Sequence, residues 1–122
     1  MTLRRLLLVA IGGTLGTAVR LAVGLSLPDA GGFPFATFAV NLLGALLIGV
    51  LAARLPGSSD LRVFLGTGIL GGFTTYSAFA VGTVQLWADA PLLATSYAIL
   101  TLALGIAVAA FGMRIARRRD LR

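Results

Sequence analysis

Cysteine, histidine, lysine and glutamate are all missing from this 122-residue sequence, and each absence closes a class of chemistry. Without cysteine there is no disulfide, thiolate metal site or thiol nucleophile. Without histidine, ordinary imidazole catalysis and most zinc sites go as well. Charge of any kind is scarce: charged residues make up 11% of the chain, against about 25% in a soluble domain. With 58% hydrophobic residues and a mean hydropathy of +1.00, the surface cannot face water on every side. A net charge of +6 would suit nucleic acid, but so apolar a chain reads more simply as a small integral membrane protein. It is expected to form one all-α domain over residues 1–122, embedded in a lipid bilayer, with no nucleic-acid partner.

What is present is long apolar runs. A transmembrane helix needs roughly 20 mostly apolar residues, and the sequence supplies four, at about 6–27, 33–55, 61–87 and 92–113. Turn-rich connectors separate them: Pro28 to Gly32, Pro56 to Asp60 and Ala88 to Pro91. The first run is read as a retained helix rather than a signal peptide, because Arg20 interrupts it and no polar domain follows. An even number of spans puts both termini on one side. Arg4, Arg5, Arg54, Arg62, Arg114, Arg117, Arg118, Arg119 and Arg122 fall on that side, and the other connectors hold no arginine. The positive-inside rule then makes the termini cytoplasmic, in the inner membrane of a prokaryotic cell.

The third span is unlike the others. Gly66, Gly68, Gly71 and Gly72 precede Phe73-Thr74-Thr75-Tyr76, and glycines followed by β-branched residues make a poor helix interior. A break at membrane depth is expected there, tolerable only where protein or a hydrated path takes up the freed backbone groups. The alternative is close helix packing, since Gly12/Gly16 and Gly68/Gly72 both have small-xxx-small spacing. Dense glycine and small size together imply oligomerisation, with any path near the interface.

Intramembrane polar residues are few. Thr37, Asn41 and Gly44 share a face of the second span, and Tyr97, Thr101 and Gly105 share one of the fourth. Either row serves interhelical hydrogen bonds or a solute path. Arg20 is costly to bury, at about 3 kcal/mol near a helix centre, unless it snorkels or pairs with a carbonyl. None of the four aspartates lies inside a span, which argues against a proton-coupled transporter or a carboxylate-ring cation channel. Hydroxyls, an amide, aromatic rings and one arginine favour passive handling of an anion or a small neutral solute.

The string GTGILGGFTTYSAF (Gly66–Phe79) resembles the signature of the Fluc (CrcB-type) fluoride channel family. GGTLGTAVR (Gly12–Arg20), TFAVNLLGALLIG (Thr37–Gly49) and the row Tyr97, Thr101, Gly105 extend the likeness through all four spans. The resemblance implies an antiparallel dimer of four-span subunits with the third helix broken near mid-membrane. It implies a passive fluoride channel, not an enzyme, that exports fluoride and lowers its toxicity. By the same resemblance the backbone carbonyls of Gly71 and Thr74 would hold a structural Na⁺ at the dimer centre. Asn41, Tyr76, Phe79, Ser77, Thr37, Tyr97 and Thr101 would line the pore, with Arg20 structural or in a vestibule. Tyr76 stands where the family usually has Phe, Thr101 where it has Ser, and Gly82 where many members carry Glu. The arginine bias favours an oppositely oriented paralogue as partner over a second copy, because a subunit inserting both ways needs little bias. A four-span assembly or accessory subunit without transport of its own is the alternative. A small multidrug transporter is disfavoured by the missing first-helix carboxylate.

Overall fold

The computed structural model describes residues 1–119, so Arg122 of the basic side lies outside the described residues. Over that range the chain is helical, with no strand. α1 (Leu3–Ser26) and α2 (Phe35–Arg54) are joined by a tight turn in which Gly31 and Gly32 take φ of +62° and +79°. Such angles suit glycine, and the turn closes with Phe33 N–H donating to the Ala30 carbonyl at 3.1 Å. α3 (Asp60–Arg62) starts on Ser59, whose Oγ accepts from Arg62 N–H at 3.2 Å. The backbone then widens to i→i+5 hydrogen bonding over Val63–Leu70, where Gly66 and Gly68 carry no Cβ to crowd the looser turn. α4 (Gly71–Phe73) is one turn; Thr74 and Thr75 are extended, and α5 (Tyr76–Asp89) and α6 (Pro91–Arg119) complete the chain.

Among the described residues four helical paths, Leu3–Ser26, Phe35–Arg54, Asp60–Asp89 and Pro91–Arg117, are long and apolar enough to cross a membrane. The chain is therefore a multi-pass membrane protein. α1 starts before Leu6 and α6 continues past Met113, because arginine is a good helix former and extends a helix beyond its apolar run. In each span's most apolar window only 11–17% of residues are buried, so the apolar exterior suits a lipid solvent.

The helices pair in parallel. α1 runs alongside 60–73: Arg5 meets Asp60 at one end, Gly12 meets Gly68, and Gly16 meets Phe73. α2 runs alongside α6, with Phe38 against Tyr97, and Gly49 against the Ala109 carbonyl. Arg4, Arg5, Arg54, Arg62, Arg114 and Arg117 thereby share one end of the bundle. There Asp60 bridges Arg4 at 3.1 Å and Arg5 at 3.0 Å, and Arg62 Nη1 donates to the Leu55 carbonyl at 2.9 Å.

The glycine motifs find each other within the chain. A Cβ on Gly12 would lie 2.7 Å from the Phe64 carbonyl oxygen and 2.9 Å from Gly68 Cα. One on Gly72 would overlap the Gly13 carbonyl, and Gly112 sits equally tight against Leu46. Small-xxx-small spacing thus brings α1 against the widened helix, so Gly12, Gly16, Gly68 and Gly72 pack within the chain, while Gly24 and Gly105 face open space.

Candidate functional site

The candidate site is built around Thr74 and Thr75. Thr74 (φ −77°, ψ 159°) and Thr75 (φ −148°, ψ 121°) leave the helical region, a conformation that β-branched residues accept readily. An uninterrupted helix would send the N–H groups of Thr75 and Ala78 to the carbonyls of Gly71 and Thr74. Here Thr75 N–H donates instead to Asn41 Oδ1 at 2.8 Å, and Ala78 N–H to Thr75 Oγ1 at 3.1 Å. Asn41 Nδ2 also donates to the Thr75 carbonyl at 3.0 Å, so the α2 amide grips both backbone groups of one residue. From the other flank, Arg20 Nε at 3.1 Å and Thr17 Oγ1 at 3.3 Å donate to the Gly72 carbonyl. Arg20 is thus paired with a carbonyl while only part-buried, which offsets the cost of a cation in a span.

Two hollows flank this segment. The larger, about 390 Å³, is lined by Asn41, Gly71, Thr74, Tyr76, Phe79 and Thr101 together with Gly44 and Thr75. The second, about 330 Å³, lies between α1 and α2 and is lined by Thr17, Arg20, Thr37, Val40 and Thr75 among others. Thr75 borders both. Six of the ten site residues expected from sequence therefore meet at the first hollow, and Arg20 and Thr37 meet at the second. Thr37 and Asn41 share a helix face but end in different hollows, because Thr75 and its contact with Asn41 stand between them.

Ser77 and Tyr97 border neither hollow. Ser77 is exposed, with its Oγ 3.2 Å from Thr75 Oγ1. Tyr97 is fully buried in an aromatic cluster, edge-on to Phe33 at a centroid distance of 5.3 Å and 5.5 Å from Phe79. Its hydroxyl makes no hydrogen bond among the described residues. Thr101 is buried and donates to the Tyr97 carbonyl at 2.7 Å, one turn back along α6. A buried hydroxyl without a partner costs about 1–3 kcal/mol. Tyr97→Phe should accordingly raise stability by about 1 kcal/mol, read as a higher thermal unfolding midpoint in detergent. Exposed Tyr76 stacks obliquely on Phe79 at 6.0 Å and leaves most of its ring on the outside of the bundle.

Sequence reasoning gave no role to Thr75 or Thr17, and placed Gly44 only on the face shared with Thr37 and Asn41. Thr75 carried a usable signal, since a threonine directly before an apolar helical run is an N-cap candidate. Thr17 lies three residues before Arg20 on the same helix face. Spacing put Gly44 on that face of α2 but did not name its neighbour: its missing Cβ admits the Thr74 side chain.

Residues 7–113 match the profile of a family described as CrcB-like protein, Camphor Resistance (CrcB). A protein of Erythrobacter litoralis named "Fluoride-specific ion channel FluC" is 42% identical over 121 residues, covering 89% of each chain. One of the same name from Agrobacterium fabrum is 43% identical over 117 residues, covering 90% of this chain and 94% of its own. A third, from Caulobacter sp., is 43% identical over 122 residues, covering 93% and 95%.

Proposed function

This chain belongs to the CrcB-like family, and from that membership we propose that it is a subunit of a passive fluoride channel. The observation that carries the reading is the interruption at Thr74–Thr75. It lies between two hollows lined by apolar side chains together with an amide, hydroxyls, aromatic rings and one arginine, and by no carboxylate among the described residues, in a chain whose relatives are named fluoride-specific channels. Fluoride is small and strongly hydrated, so its path must replace water with close donors. Asn41 and Thr37 are the donors that border the hollows. Ser77, Tyr97 and Thr101 join the path in this reading only once their side chains turn to it, since Ser77 and Tyr97 border neither hollow and Thr101 donates to the Tyr97 carbonyl. Tyr76 and Phe79 present ring edges, which are electropositive. Fluoride would leave the cytoplasm down its gradient, which lowers its toxicity.

In this reading the third span is a broken helix near mid-membrane, and the subunit pairs with an oppositely oriented partner. A paralogue is favoured over a second copy because the arginines crowd one end of the bundle. That end faces the cytoplasm, and the membrane is a prokaryotic inner membrane.

The carbonyls of Gly71 and Thr74 fit a structural Na⁺. Both residues border the larger hollow, and the N–H groups that would occupy their carbonyls in a helix are engaged by Asn41 and by Thr75 Oγ1. A bound Na⁺ held by them would supply positive charge beside the interruption.

The experiment is fluoride efflux from liposomes containing this protein alone and then with an oppositely oriented homologue. Fluoride-selective efflux in either arrangement supports the channel; none in verified dimers of both kinds leaves an assembly without transport. Phe79→Leu should cut efflux several-fold while dimer assembly, followed by size-exclusion chromatography, is unchanged.

A further inference from the structure

We propose that Asn41 and Arg20 are positioning residues that hold the Thr74–Thr75 interruption open from opposite flanks. Asn41 acts through both backbone groups of Thr75, and Arg20, seconded by Thr17, through the Gly72 carbonyl. This deepens the fluoride-channel reading and rests on it only for the consequence on flux.

The argument is an accounting of backbone groups. A two-residue excursion from a helix strands its flanking N–H and C=O groups, and in a membrane lipid offers no substitute partner. Thr75 N–H and Thr75 C=O are taken by Asn41 Oδ1 at 2.8 Å and Nδ2 at 3.0 Å. This two-point contact resembles strand pairing and favours the extended conformation over a helical one. The Gly72 carbonyl is taken by Arg20 Nε and Thr17 Oγ1, reaching across 52 and 55 residues of sequence. Both anchors come from side chains of other spans, whereas Thr75 Oγ1 caps α5 locally. Removing either anchor leaves a backbone group without its partner, open to whatever water the adjoining hollow admits. Thr75 is the wall shared by the two hollows, so its backbone conformation sets the partition between them.

Asn41 Oδ1 is thereby an acceptor in use, and only one Nδ2 hydrogen is left for a solute. A pore ligand and a backbone clamp make different demands on this residue. A clamp on the Thr75 N–H needs an acceptor, which Asn41→Asp retains and Asn41→Leu does not.

The test is residue-resolved amide hydrogen exchange on the purified full chain in nanodiscs, alongside fluoride efflux. Asn41→Leu should speed exchange at Thr75 by about tenfold or more, the loss of about one hydrogen bond, with α1 and α6 amides unchanged. If that variant does not assemble, Asn41→Ala takes its place. Asn41→Asp should leave Thr75 protected within about threefold of wild type even though it stops flux. For Arg20, the stretch of an isotope-labelled Gly72 carbonyl should move to higher frequency in Arg20→Met and return in Arg20→Lys. Unchanged Thr75 exchange in an assembled Asn41→Leu or Asn41→Ala protein overturns the Asn41 clamp. An unmoved Gly72 carbonyl in Arg20→Met overturns the Arg20 anchor. A wild type without fluoride efflux but with these exchange and carbonyl responses would instead remove the channel reading and leave the positioning roles standing.

Discussion

Asn41→Asp should abolish the proposed fluoride efflux from proteoliposomes while the protein still folds and assembles. The substitution changes two things at the larger hollow. It replaces the Nδ2 donor, now 3.0 Å from the Thr75 carbonyl, with a second oxygen that faces that carbonyl lone pair to lone pair. It also places a fixed negative charge in the path proposed for an anion. Two like charges about 4 Å apart repel by about 4 kcal/mol at an effective dielectric constant near 20, roughly a thousandfold in rate. Efflux followed with a fluoride electrode, with assembly checked on the same preparation, decides it. Efflux at the wild-type rate from a verified, folded preparation would remove Asn41 from the path.

Gly16→Val should prevent the subunit from folding to a stable bundle. A Cβ at Gly16 would overlap the Ile69 carbonyl oxygen and lie 2.8 Å from Phe73 N, and both are backbone atoms that no rotamer change can move aside. Overpacking costs about 1–3 kcal/mol even where side chains can shift, and here the first span must separate from the widened helix. That separation also draws Thr17 and Arg20 away from the Gly72 carbonyl. Gly105 is the contrast, with open space around its Cβ position. Gly105→Ala should keep the fold and gain about 1 kcal/mol from better helix propensity. Thermal unfolding of the two variants in one detergent tests the pair; a Gly16→Val protein as stable as wild type would show that α1 is not held at this contact.

The glycines illustrate how far the sequence could be read. Gly12/Gly16 and Gly68/Gly72 announce close helix approach by spacing alone, because a missing side chain every fourth residue clears one face. Spacing does not name the partner, and an intermolecular seam reads identically. The row Thr37, Asn41, Gly44 was likewise legible as a polar face, yet Thr37 and Asn41 serve different hollows. Tyr97 and Thr101 share a helix face but not an environment. A tyrosine side chain is long and leans toward its helix N-terminus, and here it packs into the cluster around Phe33, while Thr101 reaches the larger hollow.

By itself the sequence determined the number of spans, the all-helical class, the arginine-rich end and the short inventory of polar groups. These are properties of runs and counts along one dimension, set by bilayer thickness and by the cost of charge in hydrocarbon. It also marked the weak helical stretch at Gly71–Thr75, since propensity acts locally. Only the tertiary structure decided that α1 lies along residues 60–73, that Asn41 grips Thr75 across 34 residues, and that Arg20 turns to the Gly72 carbonyl. The physical reason is that helices apolar on every side carry no inward stripe. Which faces meet is then settled by backbone groups needing partners and by glycines admitting close approach, and neither leaves a periodic trace in the sequence.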